Sequence, residues 1–190
     1  MDISSAYHII QATTAPDLKP VNVELTDMDL IRGAPLRLKN NDTLLFEIDA
    51  PEDWEPPHFI GHRFPVVSNL LADTLSCTGA NNFEAFPARI RNAKTNVLWG
   101  GYSLFNVVGL IDAADLESSV GETLFENESG RDRMDFDELN LRKDRTLGMD
   151  MFRLVSSPDV ILMHGRILRT LIEKAPASGW GFSTTEVGMR

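Results

Sequence analysis

One pattern occurs twice in this chain. Residues 65–87 read PVVSNLLADTLSCTGANNFEAFP, and residues 160–183 read VILMHGRILRTLIEKAPASGWGFS. At an offset of 96, Val66 and Val67 fall on Leu162 and Met163, Leu71 on Ile167, Leu75 on Leu171, and Phe86 on Phe182. Each copy is a short apolar run, a small amphipathic helix, a turn rich in Gly, Asn, Pro or Ser, and a second strand bearing an aromatic residue. This pattern predicts an α+β fold of mixed or antiparallel sheets with a few short helices. It also points to two related halves arising from internal duplication of a strand–helix–strand cassette.

Within the first copy, Ser68 is a good N-cap, and Leu70, Leu71 and Leu75 follow at helical spacing. Gly79 ends that helix, and Phe83 to Ile90 alternates as a strand does. The run from Val97 to Ile111 contains Gly100-Gly101, which suggests a turn between two strands, with Tyr102, Leu104, Asn106 and Val108 on one face and Leu110 continuing it. In the second copy Met151 to Val155 reads as a strand and Ser156-Ser157-Pro158 as a turn. A helix from Arg166 to Lys174 puts Ile167, Leu168, Leu171 and Ile172 on one face, and Pro176 stops it. His164 stands where Ser68 stands, so the two residues are expected to be equivalent caps.

The sequence before the first copy is less regular. Tyr7 to Gln11 reads as a strand and Leu44 to Phe46 as another, led in by Asn40-Asn41-Asp42. Four prolines in residues 50–65 mark a connector. A chain of 190 residues fits one domain, here divided into an N-terminal portion, 1–63, and a portion, 64–190, that holds both cassettes.

The net charge of −10 is unevenly spread. Residues 1–63 carry a net −6 and residues 112–150 a net −7, whereas the cassette-bearing segments 64–111 and 151–190 carry +1 and +2. Segment 112–150 has few large apolar residues, and loop is its default reading. This balance opposes binding to a phosphate backbone, which needs clustered Lys and Arg. It favours attraction to a basic protein. No apolar run reaches the 18 or so residues of a membrane helix, and MDISSAYHIIQA lacks the basic start of a secretion signal. A cytoplasmic protein is expected, for which the N-x-Ser/Thr matches at Asn41 and Asn127 carry no weight. The single cysteine, Cys77, excludes an internal disulfide framework and reads as a small buried apolar side chain.

Reactive constellations are missing. His58 and His62 are four apart, but Pro56, Pro57 and Gly61 argue against a helix that would align them. Asp132, Asp135 and Asp137 lack the glycine and distal Glu of a calcium loop. There is no Gly-x-Ser-x-Gly elbow, and Gly179-x-Gly181 follows a helix instead of opening one. Catalytic, metal and cofactor-binding residues are therefore expected to be none.

Three stretches, PVVSNLLADTL with EAFP, YSLFNVVGLIDAADLESS, and MFRLVSSPDVILMHGRILRTLIEKAPASGWGFS, together resemble immunity protein family eleven of bacterial polymorphic toxin systems. The resemblance covers about residues 64–187 and leaves residues 1–63 unassigned. It implies a small non-enzymatic protein that binds and neutralises a cognate toxin. The acidic charge adds that the toxin surface is basic. Candidate contacts are Trp54 with its neighbours Asp53 and Glu55, and the acids of the insert: Asp112, Asp115, Glu117, Glu122, Glu126, Glu128, Asp132, Asp135, Asp137 and Glu138. Trp99 and Trp180 are assigned to the core. An enzyme of unknown reaction and a general interaction or scaffold module stay open as alternatives, as does a homo-oligomer.

Overall fold

The computed structural model describes residues 6–13, 17–38, 43–125 and 132–190. In chain order the strands are β1 (Tyr7–Ala12), β2 (Lys19–Pro20), β3 (Leu44–Ile48), β4 (Phe59–Ile60), β5 (Val66–Ser68), β6 (Phe83–Asn92), β7 (Leu98–Val107), β8 (Leu110–Ile111), β9 (Val120–Phe125), β10 (Arg133–Glu138), β11 (Asn140–Leu141), β12 (Met151–Leu154), β13 (Ile161–His164) and β14 (Phe182–Met189). The helices are α1 (Asp27–Ile31), α2 (Asn69–Cys77), α3 (Gly165–Lys174) and α4 (Ala177–Trp180). They build two six-stranded sheets, ordered β2-β3-β6-β7-β5-β4 and β11-β14-β1-β13-β12-β8, and a separate hairpin of β9 and β10. The architecture is α+β with mixed sheets.

The two sheets repeat one design. Along β3-β6-β7-β5-β4 the pairings run parallel, antiparallel, antiparallel, antiparallel. Along β11-β14-β1-β13-β12 they run in the same sequence. The central place that β7 holds in the first sheet is filled in the second by β1, from the opposite end of the sequence. Register fixes the equivalence residue by residue. Ser68 pairs with Tyr102 and His164 with Tyr7, so each cap residue faces a tyrosine across its strand. Both hydroxyls donate to a carbonyl at 2.7 Å, Tyr102 to Pro56 and Tyr7 to Met149. Burial raises the pKa of both phenols, slightly countered at Tyr7 by a bond from Thr146.

Both helices start as their caps dictate. Ser68 Oγ accepts from the Leu71 amide and His164 Nδ1 from the Arg166 amide, each at 3.2 Å. Helix α2 ends at Thr78 ahead of left-handed Gly79, φ 83°. The inner faces of the two sheets and helices α2 and α3 share one core that includes Val67, Leu71, Leu75, Met163, Ile167 and Leu171. The neighbouring strand positions point the other way: Val66 joins an outer core beneath Leu18, Leu25 and Leu30, and Leu162 joins a second with Ile111, Leu139 and Phe152. Each of these fully buried aliphatic side chains contributes about 1.5–3 kcal/mol. On β12, Arg153 is almost wholly buried and closes the following turn by donating to the carbonyls of Pro158 at 2.8 Å and Asp159 at 3.4 Å; burial lowers its pKa to about 10.

Several sequence expectations are corrected. Phe182 pairs with Ala12 and Phe83 with Val107, all within or against the central core, so Phe182 matches Phe83 and not Phe86. The offset grows to 99 because α4, which the sequence reading did not foresee, lies between α3 and β14. Gly100-Gly101 lies inside the continuous strand β7; the turn falls at Asn96, which adopts φ 59°. Segment 112–150 is not loop but carries β9, β10, β11 and a short 3-10 turn at Lys143–Arg145. Cys77 and Ile172 are exposed on their helices, two residues past buried Leu75 and one past buried Leu171.

Candidate interaction surface

The hairpin stands outside all three cores except along one face. Among the described residues strand β9 pairs with β10 alone. Register places Thr123 opposite Met134, Glu122 opposite Asp135, and Gly121 opposite Phe136. The step from Thr123 to Phe125 spans one residue of β10, so Leu124 is an extra residue on β9. Likewise Asp137 is an extra residue on β10. The hairpin turns Gly121, Met134 and Phe136, all partly buried, toward the body, and leaves its other large apolar and acidic residues exposed. Phe136 packs on the second outer core, and the Met134 amide donates to the Ser156 carbonyl at 2.7 Å. Arg133 pairs with Asp159 at 2.5 Å. Gly121 is required by close approach: a Cβ there would sit 2.1 Å from the Asp135 carbonyl oxygen.

Val120, Leu124 and Phe125, 54%, 52% and 67% exposed, share the hairpin with exposed Glu122, Asp135, Asp137 and Glu138; Leu124 and Asp135 also border a cleft toward the two sheets, and Asp137 and Glu138 a groove along β1 and β14. None of these four carboxylates is in an ion pair among the described residues. Glu122 and Asp135 are direct cross-strand partners, an arrangement that like charges destabilise. This surface is a mixed apolar and anionic patch on a small, poorly buttressed element.

The other predicted residues fall into different settings. Asp112, Asp115 and Glu117 lie on the segment leading into the hairpin. Asp112 pairs with Arg145 at 3.4 Å, and Asp115 accepts the Ser118 hydroxyl at 2.6 Å. Arg142, Arg145 and Arg190 share their depression and temper the local charge. Asp132 is partly buried just before β10. Glu126 and Glu128 lie outside the described residues. Asp53 and Glu55 are exposed, but Trp54 between them is half-buried and packs edge-on against Trp99, with ring centres 5.6 Å apart, over the first outer core. The structure therefore brings Glu122, Asp135, Asp137 and Glu138 together and leaves the Trp54 group on the other sheet. Sequence reading missed Val120, Leu124 and Phe125. Their signal was three large apolar residues within an acidic run.

A cleft of about 500 Å³ opens between the hairpin, α1 and the two sheets, lined by Ile10, Met28, His62, Leu124, Asp135 and Ile161 among others. Its Arg133 is committed to Asp159. Elsewhere, His58 Nδ1 and Ser68 Oγ are 2.7 Å apart, but Ser68 is buried and its oxygen already caps α2. Among the described residues no group of three or more His, Cys, Asp or Glu is placed to hold a metal, and no helix is long and apolar enough to cross a membrane.

No curated protein matches the chain. Among protein families, it matches the Immunity protein family (Imm11) over residues 5–187. The match takes in residues 5–63, which the sequence resemblance left unassigned. The fold explains this reach, since β1 and β3 supply strands to the two related sheets. The chain belongs to the Imm11 immunity protein family.

Proposed function

We propose that this protein neutralises a cognate toxin by direct, non-catalytic contact in the cytoplasm, and that the exposed apolar and acidic residues of the β9–β10 hairpin form the contact. The observation that carries the reading is that patch, held by an immunity-family scaffold: three exposed apolar side chains among four carboxylates that have no ion-pair partner among the described residues. An inhibitor of this kind needs a stable body, a complementary surface and no chemistry of its own. The anionic patch suits a toxin with a basic surface, such as a cleft that attracts phosphate. Charge complementarity then speeds encounter, while Leu124 and Phe125 supply apolar area that the carboxylates do not.

Co-expression with the toxin encoded beside the gene tests the reading. Growth rescue and co-purification are expected, with binding that weakens as salt rises. A protein that neither co-purifies nor rescues is not the immunity protein of that toxin. Reversing Asp135, Asp137 and Glu138 to Lys together should slow association and flatten the salt dependence; unchanged rates would remove the hairpin from the contact.

A further inference from the structure

We propose that the free edge of β9 takes up an extended strand from the toxin, so that the partner is held by main-chain pairing as well as by side chains. This rests on the immunity reading and specifies how the contact is made. Strand β9 is bonded along one edge by β10, and its other edge has no backbone partner among the described residues. Exposed edges are usually protected by Lys, Pro or a covering element, because bare N–H and C=O groups template pairing with another chain. Of the devices that blunt such edges, strand β9, VGETLF, lacks Lys and Pro and carries one charge, Glu122, and one bulge, at Leu124; five of its six residues are exposed. The bulge at Leu124 bends its far end, which leaves Val120–Thr123 regular.

Charge decides between occupants. A second copy would bring together two hairpins that each bear Glu122, Asp135, Asp137 and Glu138, none of them in an ion pair among the described residues, in a chain of net charge −10. A cationic strand instead relieves the repulsion between Glu122 and Asp135 by setting a Lys or Arg beside Glu122. Side chains alternate along a strand, so an apolar residue two positions from that cation would meet Val120. The occupant is therefore an extended segment with a basic residue flanked at alternate positions by apolar ones, bound by strand addition.

Amide hydrogen exchange on the full chain tests this, with the neighbouring toxin and separately with the synthetic peptide Val-Thr-Lys-Thr-Val. Both should slow exchange in residues 120–123. The variant Glu122→Lys, which converts the like-charge pair into an attractive one, should melt about 1–3 °C higher than the parent. It should bind toxin about tenfold or more weakly, as loss of a close charge pair at an interface does. Toxin binding with exchange at 120–123 unchanged, or with Glu122→Lys as tight as the parent, overturns the proposal. Failure of the parent to bind toxin at all sinks the immunity reading separately. The peptide then decides the edge alone, and exchange unchanged by it overturns the edge as well. Exchange that slows with protein concentration alone would assign the edge to a second copy and overturn the cationic-strand assignment.

Discussion

Ser68 and His164 do the same work with different chemistry. A serine oxygen accepts an amide hydrogen at any ordinary pH, whereas an imidazole accepts only when its Nδ1 is unprotonated. Burial pushes the His164 pKa below its ordinary 6.5, opposed by Asp150 and assisted by Arg166 and His8. The unfolded chain thus takes up the proton first as pH falls. Stability from the neutral cap is complete above about 6.5 and is lost as pH drops through the lower folded-state value. Replacing His164 with Ser installs the cap of the other half, and should flatten the acid side of the stability–pH curve while leaving neutral stability within about 0.5 kcal/mol. Denaturant melts at several pH values measure this; parallel curves for the two proteins would rule it out. Both caps were legible in sequence because capping is local, an acceptor placed just before an apolar period. The Tyr7 and Tyr102 partners were not, because they face the caps across strands distant in sequence.

At the scale of elements, α2 and α3 were readable from their apolar spacing, and β9 and β10 were not. Two bulges interrupt the alternation that marks a strand, and like charges stand where cross-strand pairs usually attract. The hairpin owes its position to Phe136, the Met134 amide and the bare backbone of Gly121. Gly121→Ala should therefore push β9 off β10 and abolish toxin binding. Global stability should change by less than about 1 kcal/mol, because an isolated two-stranded element is itself only marginally stable. Calorimetry beside a binding assay separates the two effects, and a variant that binds normally would show that the hairpin tolerates the added methyl.

Taken whole, the molecule is two related sheets locked by one central core. Leu75 and Leu171 occupy matching places in it, so truncating either to Ala should cost a similar amount, about 2–5 kcal/mol. Each variant should still melt in a single transition, seen by calorimetry and circular dichroism together; two separated transitions would mean that the halves are independent. The likeness of the two sheets was legible through the helices, where the offset holds at 96, and blurred beyond them by α4. The place of β1 was hidden because nothing local in YHIIQA names its neighbours. Its equivalence to β7 makes a direct prediction. Residues 6–13 moved by a short linker to follow β14 should restore one cooperative melt and immunity, whereas deleting them should abolish both.

The placement of β1 also sets the order in which the protein can be finished. Its partners β13 and β14 lie about 150–180 residues further along, so a chain leaving the ribosome at roughly 5–20 residues per second carries an unpaired strand for about 10–30 seconds. Ringed by its own neighbours in sequence, the first sheet can assemble during that interval. The second cannot, because its central strand was made first and its flanks last, and closing so long a loop adds an entropic delay. Under the proposed immunity function, toxin neutralisation would begin only with chains made through β14, and fragments from interrupted synthesis would be left with an open sheet.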